Sequence, residues 1–103
     1  MAWKSYERRK AKERRGKYVG GPGKPDYVRG DDMGEVKAWS RPMTKSDVMR
    51  EAKKGRTEII SKSGFTKEAI KYAERYRPNL RLIDGRGRIV KPRRRRSRRK
   101  RRH

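Results

Sequence analysis

Residues 25–37 read Pro25-Asp26-Tyr27-Val28-Arg29-Gly30-Asp31-Asp32-Met33-Gly34-Glu35-Val36-Lys37. Asp26 to Arg29 is a short β-favouring run, Gly30-Asp31-Asp32 reads as a turn, and Met33 to Trp39 is the return strand of a hairpin. Glu35 and Lys37 flank Val36, and a two-residue step along a strand puts them on the same face. The hairpin carries Asp26 towards that face. Two carboxylates so placed can hold Mg²⁺ through oxygen ligands, with water in the remaining positions. A bound divalent ion can activate a water for attack on a phosphodiester. A neighbouring ammonium, here Lys37, can orient that water or offset phosphate charge. The plainer reading of the same residues is an exposed hairpin with ordinary surface charges.

The flanks give the rest of the order. Ala2 to Arg15 has no breaker and carries Trp3, Tyr6 and Ala11 on a weak apolar stripe, which predicts a helix capped at Gly16. Lys17-Tyr18-Val19 reads as a short strand, and Gly20 to Pro25 as a breaker-rich loop. That loop lacks GxxxxGK[ST], so it is no P-loop. Downstream, Thr44 with Asp47 resembles a capping box and opens a helix to Gly55 with Val48, Met49 and Ala52 on one face. Glu58-Ile59-Ile60-Ser61 is a short strand of buried type. Thr66 caps a helix through about Tyr76 whose core face holds Ala69, Ile70, Ala73 and Tyr72 or Tyr76. Pro78 stops it. Leu80 to Ile83 is a further strand, Asp84-Gly85 a turn, and Ile89-Val90 a short return. The order is α-β-β-β-α-β-α-β, an α/β class with parallel neighbours in its second half.

Charge sets the partner. The chain has 103 residues, 35 Lys+Arg against 12 Asp+Glu and a net charge of +23. That length allows one small domain with a marginal core. Residues 1–24 hold nine basic and two acidic groups, and residues 91–103 hold ten basic groups and no acid. The 16 basic and ten acidic residues of 25–90 make a nearly ordinary middle. The division is therefore a basic N-terminal helix and Gly-rich loop (1–24), an α/β core (25–90, with helix 2–15 packed on it) and an Arg-rich tail (91–103). No stretch approaches the roughly 18–20 apolar residues of a membrane span. No apolar h-region opens the chain, so no secretory signal is expected. Cysteine is absent and the one histidine, His103, is terminal, which argues against disulfides, Cys zinc sites and His-based catalysis. A polyanion is the expected partner, and the tail lacks the large apolar residues of a membrane-surface helix. Gln and Cys are absent and Asn79 is the sole asparagine, a depletion that fits a thermophile.

Pro25-Asp26, eight intervening residues and Glu35-Val36-Lys37 resemble the PD-(D/E)xK nuclease signature. Residues 58–76, EIISKSGFTKEAIKYAERY, and 80–85, LRLIDG, resemble the Mrr-type restriction endonuclease domain. The resemblance covers about residues 5–85. It implies a small restriction-endonuclease-like core, and Glu7 falls where Holliday-junction resolvases often place an additional acid. As a nuclease site, Asp26 and Glu35 would bind the metal and Lys37 would position the attacking water. The core is trimmed close to its minimum and carries far more positive charge than the family requires.

The leading expectation is a structural RNA-binding protein of a large ribonucleoprotein, of archaeal ribosomal type. It would be cytoplasmic, ribosome-associated and in contact with rRNA and neighbouring ribosomal proteins. The basic groups assigned to phosphate are Lys4, Arg8, Arg9, Lys12, Arg14 and Arg15 on the first arm. On the second they are Lys91, Arg93, Arg94, Arg95, Arg96, Arg98, Arg99, Lys100, Arg101 and Arg102. The alternative is a Mg²⁺-dependent DNA endonuclease of the resolvase or Mrr kind, and a third is a DNA-packing protein. Trp3, Tyr6, Tyr18, Tyr27 and Trp39 are candidates to stack on unpaired bases, or else core residues.

Overall fold

The structure, a computed structural model, describes residues 2–21 and 23–94, with side chains from residue 4 onward. The elements are α1 (Ala2–Glu13), β1 (Lys17–Tyr18), β2 (Tyr27–Arg29), β3 (Asp32–Lys37), α2 (Lys45–Lys53), β4 (Glu58–Ser61), α3 (Lys67–Tyr76), β5 (Arg81–Asp84) and β6 (Ile89–Lys91). The strands form one mixed sheet in sequence order. β1, β2 and β3 are antiparallel, β3, β4 and β5 are parallel, and β6 returns antiparallel. No helix among the described residues is long and apolar enough to cross a membrane.

Strand alternation divides the core into two layers. Ala11 of α1 packs with Tyr27, Val36, Ile60 and Ile83 on one face. On the other, Ile59 and Leu82 meet Val48 of α2 and Ala69 and Ala73 of α3, with Met43 and Leu80 closing the ends. The small alanines let α3 lie close to the sheet. Both downstream helices start as their sequences dictate. Thr44 and Asp47 form a reciprocal capping box, and Thr66 accepts from the Ala69 amide.

The sequence expectation needs three local corrections. The first helix ends at Glu13, and Arg15, not Gly16, takes the left-handed conformation with φ 59°. Gly16 is required for room instead, because a Cβ there would come within 2.5 Å of the Tyr27 ring. Asp32 is not a turn residue: it opens β3 and is buried. The tail does not begin at residue 91, since Lys91 is the last residue of β6 and is buried.

Candidate functional site

α1 runs against the parallel strands. Its first turns therefore lie at the carboxyl ends of β3, β4 and β5, and its last residues at their amino ends. Two polar clusters follow, one at each end of the sheet.

The carboxyl-end cluster contains the residues expected to carry chemistry. The Asp26 amide donates to the Gly34 carbonyl at 2.8 Å, and its side-chain Oδ2 accepts from the Val36 amide at 2.7 Å. Asp26 is thereby fixed against β3 beside the residue that separates Glu35 from Lys37. Burial pushes its carboxyl up to about 7; the Val36 N–H opposes the rise, and the charges of Glu35 and Glu7 add to it. Glu7 is also raised, first by burial, with the Tyr18 hydroxyl bond opposing and Glu35 reinforcing. The Tyr18 hydroxyl donates to Glu7 at 3.3 Å. Three carboxylates thus lie within electrostatic reach of one another. Lys37 Nζ stands 3.3 Å from Glu35 and 3.5 Å from Glu51 of α2. Arg56 Nε donates to Glu35 Oε1 at 2.9 Å.

Glu51, Arg56 and Tyr18 are site neighbours that sequence reasoning missed. Each comes from a different element, so no spacing along the chain announces it. Glu51 is buried, and its Oε1 has no hydrogen-bond partner among the described residues.

No group of three acidic or imidazole side chains among the described residues is arranged to hold a metal ion. The donor chemistry of Asp26 and Glu35 nevertheless suits Mg²⁺, which takes carboxylate oxygens and keeps several waters. The Val36 amide occupies only one Asp26 oxygen. Glu35 has an ion pair on each oxygen, so a cation there has to compete with Arg56 and Lys37.

No family model, curated protein or solved structure matches this chain.

The amino-end cluster was not anticipated. Glu58 is fully buried at the start of β4. It accepts from Arg14 at 2.9 and 3.3 Å, from Arg29 at 2.8 Å, from Arg81 and from the Tyr27 hydroxyl. Burial alone would raise its carboxyl, but the bonds from Arg14 and Tyr27 and the charges of Arg14 and Arg29 prevail and hold it down to about 2. Asp32 extends the network to Arg29 at 2.6 Å, Arg93 at 2.6 Å and the Thr57 hydroxyl at 3.1 Å. A Glu opening a strand of buried type was the available signal, since a buried charge demands partners.

These contacts redistribute the expected phosphate-binding groups. Arg14 and Arg93 are half-buried and committed to Glu58 and Asp32. Lys91 points inward and donates to the carbonyls of Arg77, Pro78 and Leu80 at 2.9, 3.1 and 2.6 Å, so it ties down the connection between α3 and β5 and does not face a ligand. Lys4, Arg8, Arg9, Lys12, Arg15 and Arg94 are exposed. Arg8 lies over the Tyr18 ring and Arg9 over Tyr6. Arg95, Arg96, Arg98, Arg99, Lys100, Arg101 and Arg102 lie outside the described residues, as does the Trp3 side chain. Tyr27 is fully buried, so it is a core residue and not a stacking platform. Trp39 is flanked by Lys37 and Arg41, at 5.2 and 4.5 Å from its ring centre.

Proposed function

We propose that the protein binds nucleic acid through its basic surface and hydrolyses phosphodiester bonds at Asp26, Glu35 and Lys37, on a restriction-endonuclease-like core. The observation that carries this reading is geometric: the Val36 amide holds Asp26 against β3 at 2.7 Å, beside Glu35 and Lys37, whose charged groups stand 3.3 Å apart. Burial pushes the Asp26 carboxyl up to about 7, and the charges of Glu35 and Glu7 add to that. Holding carboxylates together in a partly buried place costs stability, and such an arrangement is one that functional sites use. A cation is the natural relief. Asp26 and Glu35 are the residues that would hold it. When bound, Mg²⁺ supplies an activated water and neutralises charge on the phosphate under attack. Lys37, beside Glu35, orients that water or offsets the charge developing on phosphate. Glu7 adds negative potential from α1, and the exposed basic groups of α1 hold the phosphate backbone.

The test is an assay of the purified protein on nicked, branched and duplex DNA and on structured RNA, with Mg²⁺ and with chelator. Cleavage that requires Mg²⁺ and disappears in Asp26→Asn, Glu35→Gln and Lys37→Met, with binding retained, is the expected result. Wild-type protein that binds every substrate and cleaves none overturns it.

A second reading is favoured by the ion pairs on both oxygens of Glu35. With Glu35 so occupied, the core serves as a docking scaffold and the basic arms bind rRNA within a ribosome. Sucrose-gradient fractionation of native lysate tests this: sedimentation with one ribosomal subunit, lost after ribonuclease digestion, supports it, and recovery in the light fractions alone removes it.

A further inference from the structure

A cleft of about 450 Å³ opens beside this site, at the carboxyl ends of β4 and β5. Tyr6, Lys62, Gly64, Asp84, Arg86 and Arg88 are among the residues that line it. The backbone makes the floor rigid. The Lys62 amide donates to the Lys37 carbonyl at 2.9 Å, which ties the cleft to the end of β3. Gly85 packs so closely on Lys62 that a Cβ would come within 2.5 Å of the Lys62 carbonyl oxygen. Lys10 Nζ, one turn along α1 from Tyr6, reaches the Gly85 carbonyl at 2.7 Å. Asp84 Oδ1 accepts from the amides of Arg86 and Arg88, both at 2.9 Å, and so sets the turn that carries their side chains.

The chemistry of the lining is mixed. Lys62, Arg86 and Arg88 supply three cations against the one carboxylate of Asp84. The Tyr6 ring forms an aromatic wall, with Lys62 Nζ 5.8 Å from its centre. The Tyr6 hydroxyl is buried and has no hydrogen-bond partner among the described residues. A buried hydroxyl without a partner costs stability that a ligand oxygen can recover. Inorganic anions have no use for Asp84 or for an aromatic wall. A nucleotide uses all of them: phosphate for the cations, and sugar or base donors for Asp84 and Tyr6.

We infer that this cleft binds one nucleotide of an unpaired strand, with its phosphate on Lys62, Arg86 and Arg88. The inference deepens the hydrolytic reading and rests on it for the position of the scissile phosphate. Adjacent strands lie about 4.8 Å apart, so the end of β5 stands about 10 Å from the end of β3, within reach of a neighbouring nucleotide. A nucleotide that has left the stack offers sugar and base edges together with its phosphate, which favours junctions, flaps and single strands over continuous duplex.

The experiment is an NMR titration of the ¹⁵N-labelled full chain, without divalent ion, with deoxythymidine 5′-monophosphate. Deoxythymidine and inorganic phosphate are titrated in parallel. Expected are saturable shifts centred on Lys62, Gly64 and Gly85, weakened at least five-fold in Lys62→Ala/Arg88→Ala and several-fold in Tyr6→Phe. Tyr6→Phe removes a hydroxyl that has no hydrogen-bond partner among the described residues, so it preserves stability and separates binding from folding. Shifts confined to Glu35 and Lys37 or spread over the basic arms overturn the inference. Inorganic phosphate saturating the cleft as tightly as the nucleotide also overturns it, as an anion site only. Asp26→Asn keeps nucleotide binding while losing cleavage. Nucleotide binding in the cleft without cleavage of any substrate defeats the hydrolytic reading alone, and cleavage with a silent cleft defeats this inference alone.

Discussion

Arg56 and Glu35 form a largely buried ion pair, Nε to Oε1 at 2.9 Å, between the connection from α2 to β4 and the middle of β3. The guanidinium neutralises the carboxylate on which the proposed metal site depends. It therefore sets the concentration at which a divalent ion can enter.

Replacing Arg56 by Met should lower the Mn²⁺ concentration needed for half-saturation by several fold, read by electron paramagnetic resonance. The same change should cost about 3–5 kcal/mol, because it leaves a buried carboxylate without its best partner. Added divalent ion should restore part of that loss. Equal metal response in Arg56→Met and wild type would show that Glu35 takes no part in binding cations.

Asp26 predicts a trade of stability against activity. Its ordinary value near 3.8 rises to about 7 in the fold. An acid raised on folding favours the protonated native state. Its contribution is complete below about 3.8 and is lost as pH rises through about 7. At pH 8 Asp26→Asn should therefore be more stable than wild type by about 1 kcal/mol, a Tm gain of about 4–8 °C. Asn can still accept from the Val36 amide. The advantage should vanish at pH 4, and any Mg²⁺-induced rise in Tm should be absent from the variant. Calorimetry at the two pH values, with and without Mg²⁺, reads all three.

Glu58 carries the opposite sign. Held down to about 2 from its ordinary 4.5, it contributes in full above about 4.5 and loses that contribution as pH falls through about 2. Acid unfolding should begin in that window. Glu58→Gln should cost about 3–5 kcal/mol at neutral pH, because Arg14 then loses its carboxylate and Arg29 and Arg81 are left to share Asp32. A loss below about 1 kcal/mol would mean that solvent, not Glu58, balances these guanidinium groups.

Two truncations separate folding from binding. Removing 91–103 deletes Lys91, whose ammonium donates to three carbonyls of the connection between α3 and β5, and Arg93, which grips Asp32. That truncation should destabilise the domain. Removing 95–103 spares both and should leave Tm unchanged. It deletes seven basic groups, so the slope of log binding constant against log salt should flatten by up to about 6 on duplex DNA. An unchanged slope would mean that the tail makes no phosphate contacts.

The element order was readable because its signals are local. Thr44 with Asp47, Thr66, Pro78 and the period-two run around Val36 each act within a few residues. The approach of Asp26 to Glu35 was readable too, since a short hairpin limits where its strands can go. The buried network was not. Arg14 meets Glu58 across 44 positions and Arg93 meets Asp32 across 61, and nothing in either neighbourhood tells a committed arginine from a solvated one. The tail misled for the same reason. Lys91 looks like the first of ten like charges, yet β6 turns Ile89 and Val90 outward and Lys91 inward. Its ammonium turns in to the carbonyls of Arg77, Pro78 and Leu80, which lie in the connection between α3 and β5, far from Lys91 in sequence.

The Tyr27 ring occupies space left empty by two glycines. A Cβ on Gly16 would press against it, and one on Gly34 would overlap it outright. The three positions form a single unit of volume, although they lie on a loop and two strands. Sequence drift at any one of them is therefore conditional on the others. A lineage that shortens Tyr27 to Leu gains freedom to admit Ala at 34, while one that keeps the tyrosine holds both glycines. Across homologous sequences, these positions should change together or not at all.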